Sequence, residues 1–254
     1  MHPQLFGIVK SYGLLLALSF LVGIWLSVRR GRARGFDRDT IMDLCFTVMI
    51  SSLVGVRLFY VLTHLGDFRP WYRVFFIWEG GLTLYGGILL AAAAVLWNCR
   101  RRGLPFLRVA DALAPQVALG IGLTRIGCFL NGCCYGRGTD SALGVVFPPA
   151  CEAGAVSHGA PLHPTQLYAS AAGFLVWGLL VLGDRRPFRD GVVFARFLLL
   201  YGVARALEDL WRAYEPGAVL GGGITLSQAI SAAIAAGGLA LLLKVRRSGG
   251  RDGA

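Results

Sequence analysis

Seven apolar runs, separated by short polar and basic segments, divide the chain. They cover about residues 8–28, 41–63, 81–97, 109–127, 166–182, 192–211 and 224–243. A helix needs roughly 20 apolar residues to cross the hydrocarbon of a bilayer, so each run predicts a transmembrane helix. The first has neither a basic segment before it nor a small-x-small cleavage pattern after it, which predicts a retained span rather than a removed signal peptide. Between the second and third runs, the aromatic segment Pro70 to Trp78 suits the head-group layer. Gly80, Gly81, Gly86 and Gly87 then open the third run with the small residues that let membrane helices approach closely. The sixth run differs from the others because Arg196, Arg205, Glu208, Asp209 and Arg212 interrupt it.

Basic residues set the orientation. The segments after runs one, three, five and seven carry 16 Lys and Arg, against 4 in the N-terminus and the segments after runs two, four and six. The apolar runs make the fold class an all-α integral membrane protein, and the positive-inside rule orients it. It is expected to have seven transmembrane helices, the N-terminus out (periplasmic) and the C-terminus in. Composition agrees: 56% of the residues are hydrophobic, 15% are charged, and the mean hydropathy is +0.61. A net charge of +11 raises the question of nucleic acid. The basic residues lie in short clusters between apolar runs rather than on one soluble face, so no nucleic-acid partner is expected. Residues 1–254 form one polytopic membrane domain in this reading. Within it the Gly- and Pro-rich stretch 133–162 is expected to form a small periplasmic cap.

Chemistry concentrates between Gly120 and Gly138. Arg125 stands at the end of the fourth run, and an arginine in hydrocarbon costs at least about 2.5 kcal/mol by insertion scales. On the derived topology Arg57, Arg125, Arg205 and Arg212 all fall in the outward halves of their helices. Tyr12, Tyr85, Asn131, His163 and Gln166 fall at the same level. Arg205 and Asp209 are spaced i, i+4, as are Glu208 and Arg212, so each pair shares a helix face. A carboxylate can orient an arginine whose remaining donors hold a phosphate. The stretch therefore reads as an anion site at the outer membrane surface. Of the six cysteines, Cys45, Cys99, Cys128, Cys133, Cys134 and Cys151, none has the spacing of a zinc motif, and an adjacent Cys133–Cys134 pair is a poor chelate. No metal and no cofactor are expected; small packing residues, or a disulfide from Cys151 to Cys128, Cys133 or Cys134, are the readings.

These residues resemble the prolipoprotein diacylglyceryl transferase family over nearly the whole chain. The likeness runs through Tyr12-Gly13, Gly55-Val56-Arg57-Leu58, Gly80-Gly81 to Gly86-Gly87, and Arg125-Ile126-Gly127-Cys128-Phe129-Leu130-Asn131-Gly132. It continues through His163-Pro164-Thr165-Gln166-Leu167-Tyr168, Tyr201-Gly202 with Arg205, and the Ser227-Gln228 and Ser231 opening of the last helix. The resemblance implies transfer of the diacylglyceryl group of phosphatidylglycerol to the lipobox cysteine of prolipoprotein signal peptides, releasing glycerol 1-phosphate. It also implies a multi-pass protein of the bacterial inner membrane, in contact with membrane lipids, its active site facing the periplasm. Arg125 and Arg205 match the family's two essential arginines, Asn131 and Gly136 its motif, and Asp209 its acidic residue, with Glu208 adjacent. Tyr12, Arg57, His163 and Gln166 are expected to bind substrate. Three positions depart from the pattern: Tyr85 replaces a catalytic histidine, Cys128 an asparagine and Cys133 a glutamate. Tyr85 is then expected to position groups by hydrogen bonding, with the arginines favouring the thiolate. Two competing readings are an inactive relative that binds lipoprotein precursors and a lipid or anion transporter, although no internal repeat of the transporter kind is present.

Overall fold

The computed structural model describes residues 4–5, 9–68, 71–76, 83–184, 189–214 and 224–247. Gly80, Gly81 and Leu82 of the glycine motif, the basic turn 185–188, and parts of the Pro70 to Trp78 segment lie outside the described residues. Among the described residues, strands β1 (Gln4–Leu5) and β2 (Val9–Lys10) pair antiparallel ahead of eight α-helices. In order these are α1 (Ser11–Ala33), α2 (Arg38–Thr63), α3 (Leu84–Arg101), α4 (Phe106–Asn131), the short α5 (Glu152–Ser157), α6 (Thr165–Gly183), α7 (Val192–Glu208) and α8 (Leu226–Arg247). Each of the seven apolar runs thus holds a long helix. Five of them, α1, α2, α4, α6 and α8, are long and apolar enough to cross a membrane. The other two differ for local reasons. Helix α3 has 18 residues and gives way at its end to Asn98, Arg100 and Arg101. Helix α7 has 17, which at 1.5 Å per residue is about 26 Å, and it carries Arg196 and Arg205.

The chain gathers into two compact units, Ser27–Val109 and the remainder, Met1–Leu26 with Ala110–Ala254. In the Ser27–Val109 unit, Asp37 caps α2 by accepting from the amides of Asp39 and Thr40 at 3.1 and 3.3 Å. Helices α2 and α3 then cross so closely at Gly55 and Gly86 that a Cβ on either glycine would run into the other's carbonyl. Asn98 donates to Thr47 at 3.3 Å further along, and the Arg102–Asp43 pair at 2.9 Å closes the same end.

In the larger unit, Ala114, Ala118, Val176, Leu180, Val193 and Phe197 form an apolar core shared by α4, α6 and α7. Asp111 is wholly buried on α4 and accepts from the amides of Gly191 and Phe194 at 2.8 and 2.7 Å. Those amides belong to the start of α7, where the helix has no internal acceptors and its dipole favours negative charge. Helix α8 begins with a reciprocal cap. The Thr225 amide donates to Gln228 and the Gln228 amide donates to the Thr225 hydroxyl, each at 3.1 Å. Gly202 lets α7 and α8 meet backbone to backbone, since a Cβ there would lie 2.7 Å from both the Ala235 nitrogen and the Ser231 oxygen.

The stretch 133–162 is folded around its own small core of Phe147, Cys151, Ala153 and Leu162, with Phe129, Tyr135 and Val145 against it. Leu162 bridges to both Gly138 and Val145, and the Ala153 amide donates to Gly132 at 2.9 Å.

Candidate functional site

Arg205 ends α7 in a net of acceptors. Its guanidinium is paired with Asp209, lies 3.7 Å from Glu208, and donates to the Tyr214 hydroxyl at 3.0 Å. Asp209 has no side-chain exposure and accepts from Tyr214 at 2.5 Å and from the Thr225 hydroxyl at 3.1 Å. The cap of α8 therefore also holds the carboxylate that orients Arg205. Burial, then the bond Tyr214 donates to Asp209, push the Tyr214 phenol above its usual value, so it stays a donor. Arg212 completes the group, 3.7 Å from Glu208 and over the Tyr214 ring at 5.7 Å. One oxygen of buried Glu208 has no hydrogen-bond partner among the described residues.

Arg125, from α4, and Arg205, from α7, line the same enclosed cavity together with Glu208, Tyr201 and Ala169. Its volume is about 20 Å³, room for one water rather than a phosphodiester. A larger anion would fit only if side chains there moved. Two half-buried guanidiniums line one cavity and favour an anion there, and Glu208 offsets part of their charge.

Beyond Arg125 the chain leaves α4 at Asn131 and makes a tight turn. Gly132 and Cys134 both take left-handed backbone, with φ of 73° and 61°. Two wholly buried side chains at the start of α6 hold this turn: Gln166 donates to the Cys133 carbonyl at 2.7 Å and Thr165 to the Cys134 carbonyl at 3.0 Å. The Cys128, Cys133 and Cys134 sulfurs consequently lie within 4.8 Å of one another. Hydrogen bonds from the Cys128 and Cys133 thiols hold the Cys134 thiol far below its usual value, with Arg125 and Arg212 adding to the effect against burial. All six cysteines are free, and Cys151 turns away to donate to the Pro148 carbonyl at 3.1 Å. Gly136 sits where a Cβ would press on His163 and Thr165 at 2.7 and 2.8 Å, and its amide donates to the His163 carbonyl at 2.9 Å. His163 is braced by the Tyr168 hydroxyl at 3.2 Å. Tyr12 packs on α4 beside Gly127, within electrostatic reach of Arg125 and the three thiols.

The larger unit thus brings together Tyr12, Arg125, Asn131, Gly136, His163, Gln166, Arg205, Glu208 and Asp209. Arg57 and Tyr85 belong to the other unit. There Arg57 is buried, donates to the Val74 carbonyl at 2.8 Å and lies over the Phe68 ring at 5.1 Å. Tyr85, 42% exposed, stands in the first turn of α3. Reading the sequence alone missed Tyr214, Thr225 and the three-sulfur cluster. The Thr-x-x-Gln cap and the five-residue step from Asp209 to Tyr214 were the available signals for the first two. The cluster had none, because left-handed backbone at a cysteine is not written in spacing.

The fold and site define a polytopic membrane protein with a buried, doubly cationic pocket beside a thiol-bearing turn. The model of the prolipoprotein diacylglyceryl transferase family matches residues 4–244. The chain belongs to that family. Relatives named phosphatidylglycerol–prolipoprotein diacylglyceryl transferase include one from Vibrio vulnificus, 38% identical over 245 residues that cover 92% of this chain and 86% of the relative. One from Geobacter sulfurreducens is 34% identical, covering 94% and 91%. One from Clostridium tetani is 32% identical, covering 85% and 86%.

Proposed function

We propose that this protein is an active transferase that moves the diacylglyceryl group of phosphatidylglycerol onto the lipobox cysteine of prolipoprotein signal peptides. The observation that carries the reading is the shared cavity of Arg125 and Arg205. In the reaction the cysteine sulfur, as thiolate, attacks the terminal glyceryl carbon. The C–S bond forms as the C–O bond to phosphate breaks, and the electron pair leaves with the oxygen of glycerol 1-phosphate. The thiol proton goes to solvent. Arg125 and Arg205 stabilise the charge that grows on the departing phosphate, an effect strongest in a dry site. Asp209, fixed by Tyr214 and Thr225, aims Arg205. Glu208 yields its place to the incoming phosphate. Tyr12, Asn131, Gly136, His163 and Gln166 shape the thiol side; Arg57 and Tyr85 also bind substrate, Tyr85 by positioning.

The proposed setting is the bacterial inner membrane, with seven spanning helices, the N-terminus and the site on the periplasmic side and the C-terminus in the cytoplasm. Residues 1–254 act as one membrane domain, a view supported by the absence from the sequence of a polar stretch long enough for an independent soluble domain. The stretch 133–162 caps the site. The test is transfer of labelled diacylglycerol from phosphatidylglycerol to a lipobox peptide by the purified protein. Thioether product that Arg125→Gln abolishes is the expected result. Peptide binding without product would make the protein an inactive relative, and lipid movement without product would make it a transporter.

A further inference from the structure

The three-sulfur cluster is not accounted for by binding a lipid phosphate. Adjacent residues in an extended chain point to opposite faces, yet the left-handed turn at Cys134 returns its sulfur to the side of Cys133 and Cys128. A non-glycine residue holds such a backbone only where its surroundings impose it. Here they do: buried Gln166 and Thr165 each spend their donor on the carbonyls of this turn. The result is three soft ligands on a preorganised frame. Tetrahedral zinc with bonds of about 2.3 Å spaces its sulfur ligands by about 3.8 Å, so sulfurs within 4.8 Å need only a small contraction.

We propose that Cys128, Cys133 and Cys134 are the three protein ligands of a zinc ion whose fourth position takes the thiol of the substrate cysteine. Three thiolates around Zn²⁺ carry one net negative charge; Arg125 stands one helical turn before Cys128, and Arg212 bridges to Gly136 two residues beyond Cys134, so two cations lie beside the turn. Cys128 is buried while Cys133 and Cys134 are half-buried, which leaves one side of the cluster approachable. Three protein ligands with an open position are the pattern of reactive zinc, whereas structural sites are closed by a fourth. The fourth ligand also answers a need of the reaction. A thiol that coordinates zinc gives up its proton at neutral pH. The coordinated sulfur then attacks the glyceryl carbon, its bond to zinc being exchanged for the new C–S bond, and the proton has gone to solvent. No strong protein base is then required. The identity of the fourth ligand rests on the proposed function; the metal site itself does not.

The full-length protein in detergent, reduced and stripped with a chelator, is incubated with zinc, passed over a desalting column and analysed for metal. One zinc per chain is expected, falling at least tenfold in Cys128→Ser, Cys133→Ser and Cys134→Ser but not in the Cys45→Ser/Cys99→Ser control. Cobalt in place of zinc is expected to give thiolate-to-metal charge-transfer bands in the wild-type protein, a readout that does not depend on any variant folding. Adding a lipobox peptide should shift those bands, and the same peptide with serine for cysteine should not. Failure of the reduced wild type to retain zinc, or equal retention by Cys128→Ser, overturns the site. Bands indifferent to the cysteine peptide overturn the open position. Metal loading with a peptide-induced shift but no diacylglyceryl transfer supports the site and counts against the proposed function alone.

Discussion

Gln166 donates to the Cys133 carbonyl at 2.7 Å across 33 residues of sequence, tying the first turn of α6 to the turn that follows α4. Gln166 is wholly buried and Cys133 half-buried, so loss of the bond strands a largely covered carbonyl. Gln166→Leu is expected to cost about 1–3 kcal/mol, the usual penalty for an unsatisfied buried acceptor. The turn should loosen as well, so transfer is expected to fall more than thermal stability does. Unfolding in detergent and turnover on the same preparation check both. Wild-type turnover with a lowered melting temperature would make Gln166 a purely structural tie.

Arg125 and Arg205 come from different helices and meet at one cavity. Lysine preserves the charge but not the planar fork that grips phosphate through two bonds. Arg125→Lys and Arg205→Lys are each expected to lower transfer by about 100-fold, in line with the loss of one preorganised donor to a developing oxyanion. Arg205→Lys should also free Asp209 and Tyr214, so its protein should melt earlier than Arg125→Lys. Near-normal transfer in both variants would refute the clamp.

Much of this molecule was legible in its hydrophobic pattern. Every apolar run became a long helix, and the pairing of Arg205 with Asp209 followed from i, i+4 spacing. The meeting of Arg125 with Arg205 was reachable only as a shared depth in the membrane; that they line one cavity is a tertiary fact. Glu208, read as the partner of Arg212, lies 3.7 Å from Arg205 as well, because one carboxylate on a helix reaches both the preceding and the following turn. The thiol cluster was beyond reach for a different reason. Spacing rules assume ordinary backbone between ligands, and the turn at Gly132 and Cys134 is left-handed.

Tyr85 and His163 separate by pH. Tyrosine is a poor base near neutrality, so Tyr85→Phe is expected to reduce turnover moderately and leave the acidic limb of the pH–rate profile in place. His163 donates to or accepts from Tyr168 at 3.2 Å and supports the turn through its backbone, so His163→Gln should behave as a packing change. Loss of the acidic limb in His163→Gln alone would move the base to His163. Complete loss in Tyr85→Phe, with lipid binding intact, would make the tyrosine chemically essential.

Asp111 offers a stability test away from the chemistry. Its carboxylate serves two amides at the start of α7. Asp111→Leu leaves both unsatisfied at a helix N-terminus and should cost about 2 kcal/mol or somewhat more. Asp111→Asn keeps one acceptor and should recover part of that. Thermal melts of the three proteins in one detergent decide it, and equal melting temperatures would show that other partners cap α7.

Membrane orientation is open to a direct labelling test. Natural cysteines are poor reporters, since Cys99 is 1% exposed and Cys128 is 6% exposed. Single added cysteines at exposed neutral positions leave the basic count unchanged, which matters because that count sets the orientation. Ala33→Cys lies at the basic end of α1, and Ser141→Cys lies in the stretch after α4. Both positions are exposed, so burial does not bias the comparison. A membrane-impermeant thiol reagent applied to spheroplasts should add label to Ser141→Cys above the wild-type background. Ala33→Cys should gain label only after the membrane is opened. The positive-inside distribution requires these two to lie on opposite sides whichever way the chain runs, so the informative outcome is which one labels first. Label on Ala33→Cys in intact spheroplasts would invert the topology and carry the Arg125–Arg205 cavity to the cytoplasmic side, where a prolipoprotein awaiting modification outside could not reach it.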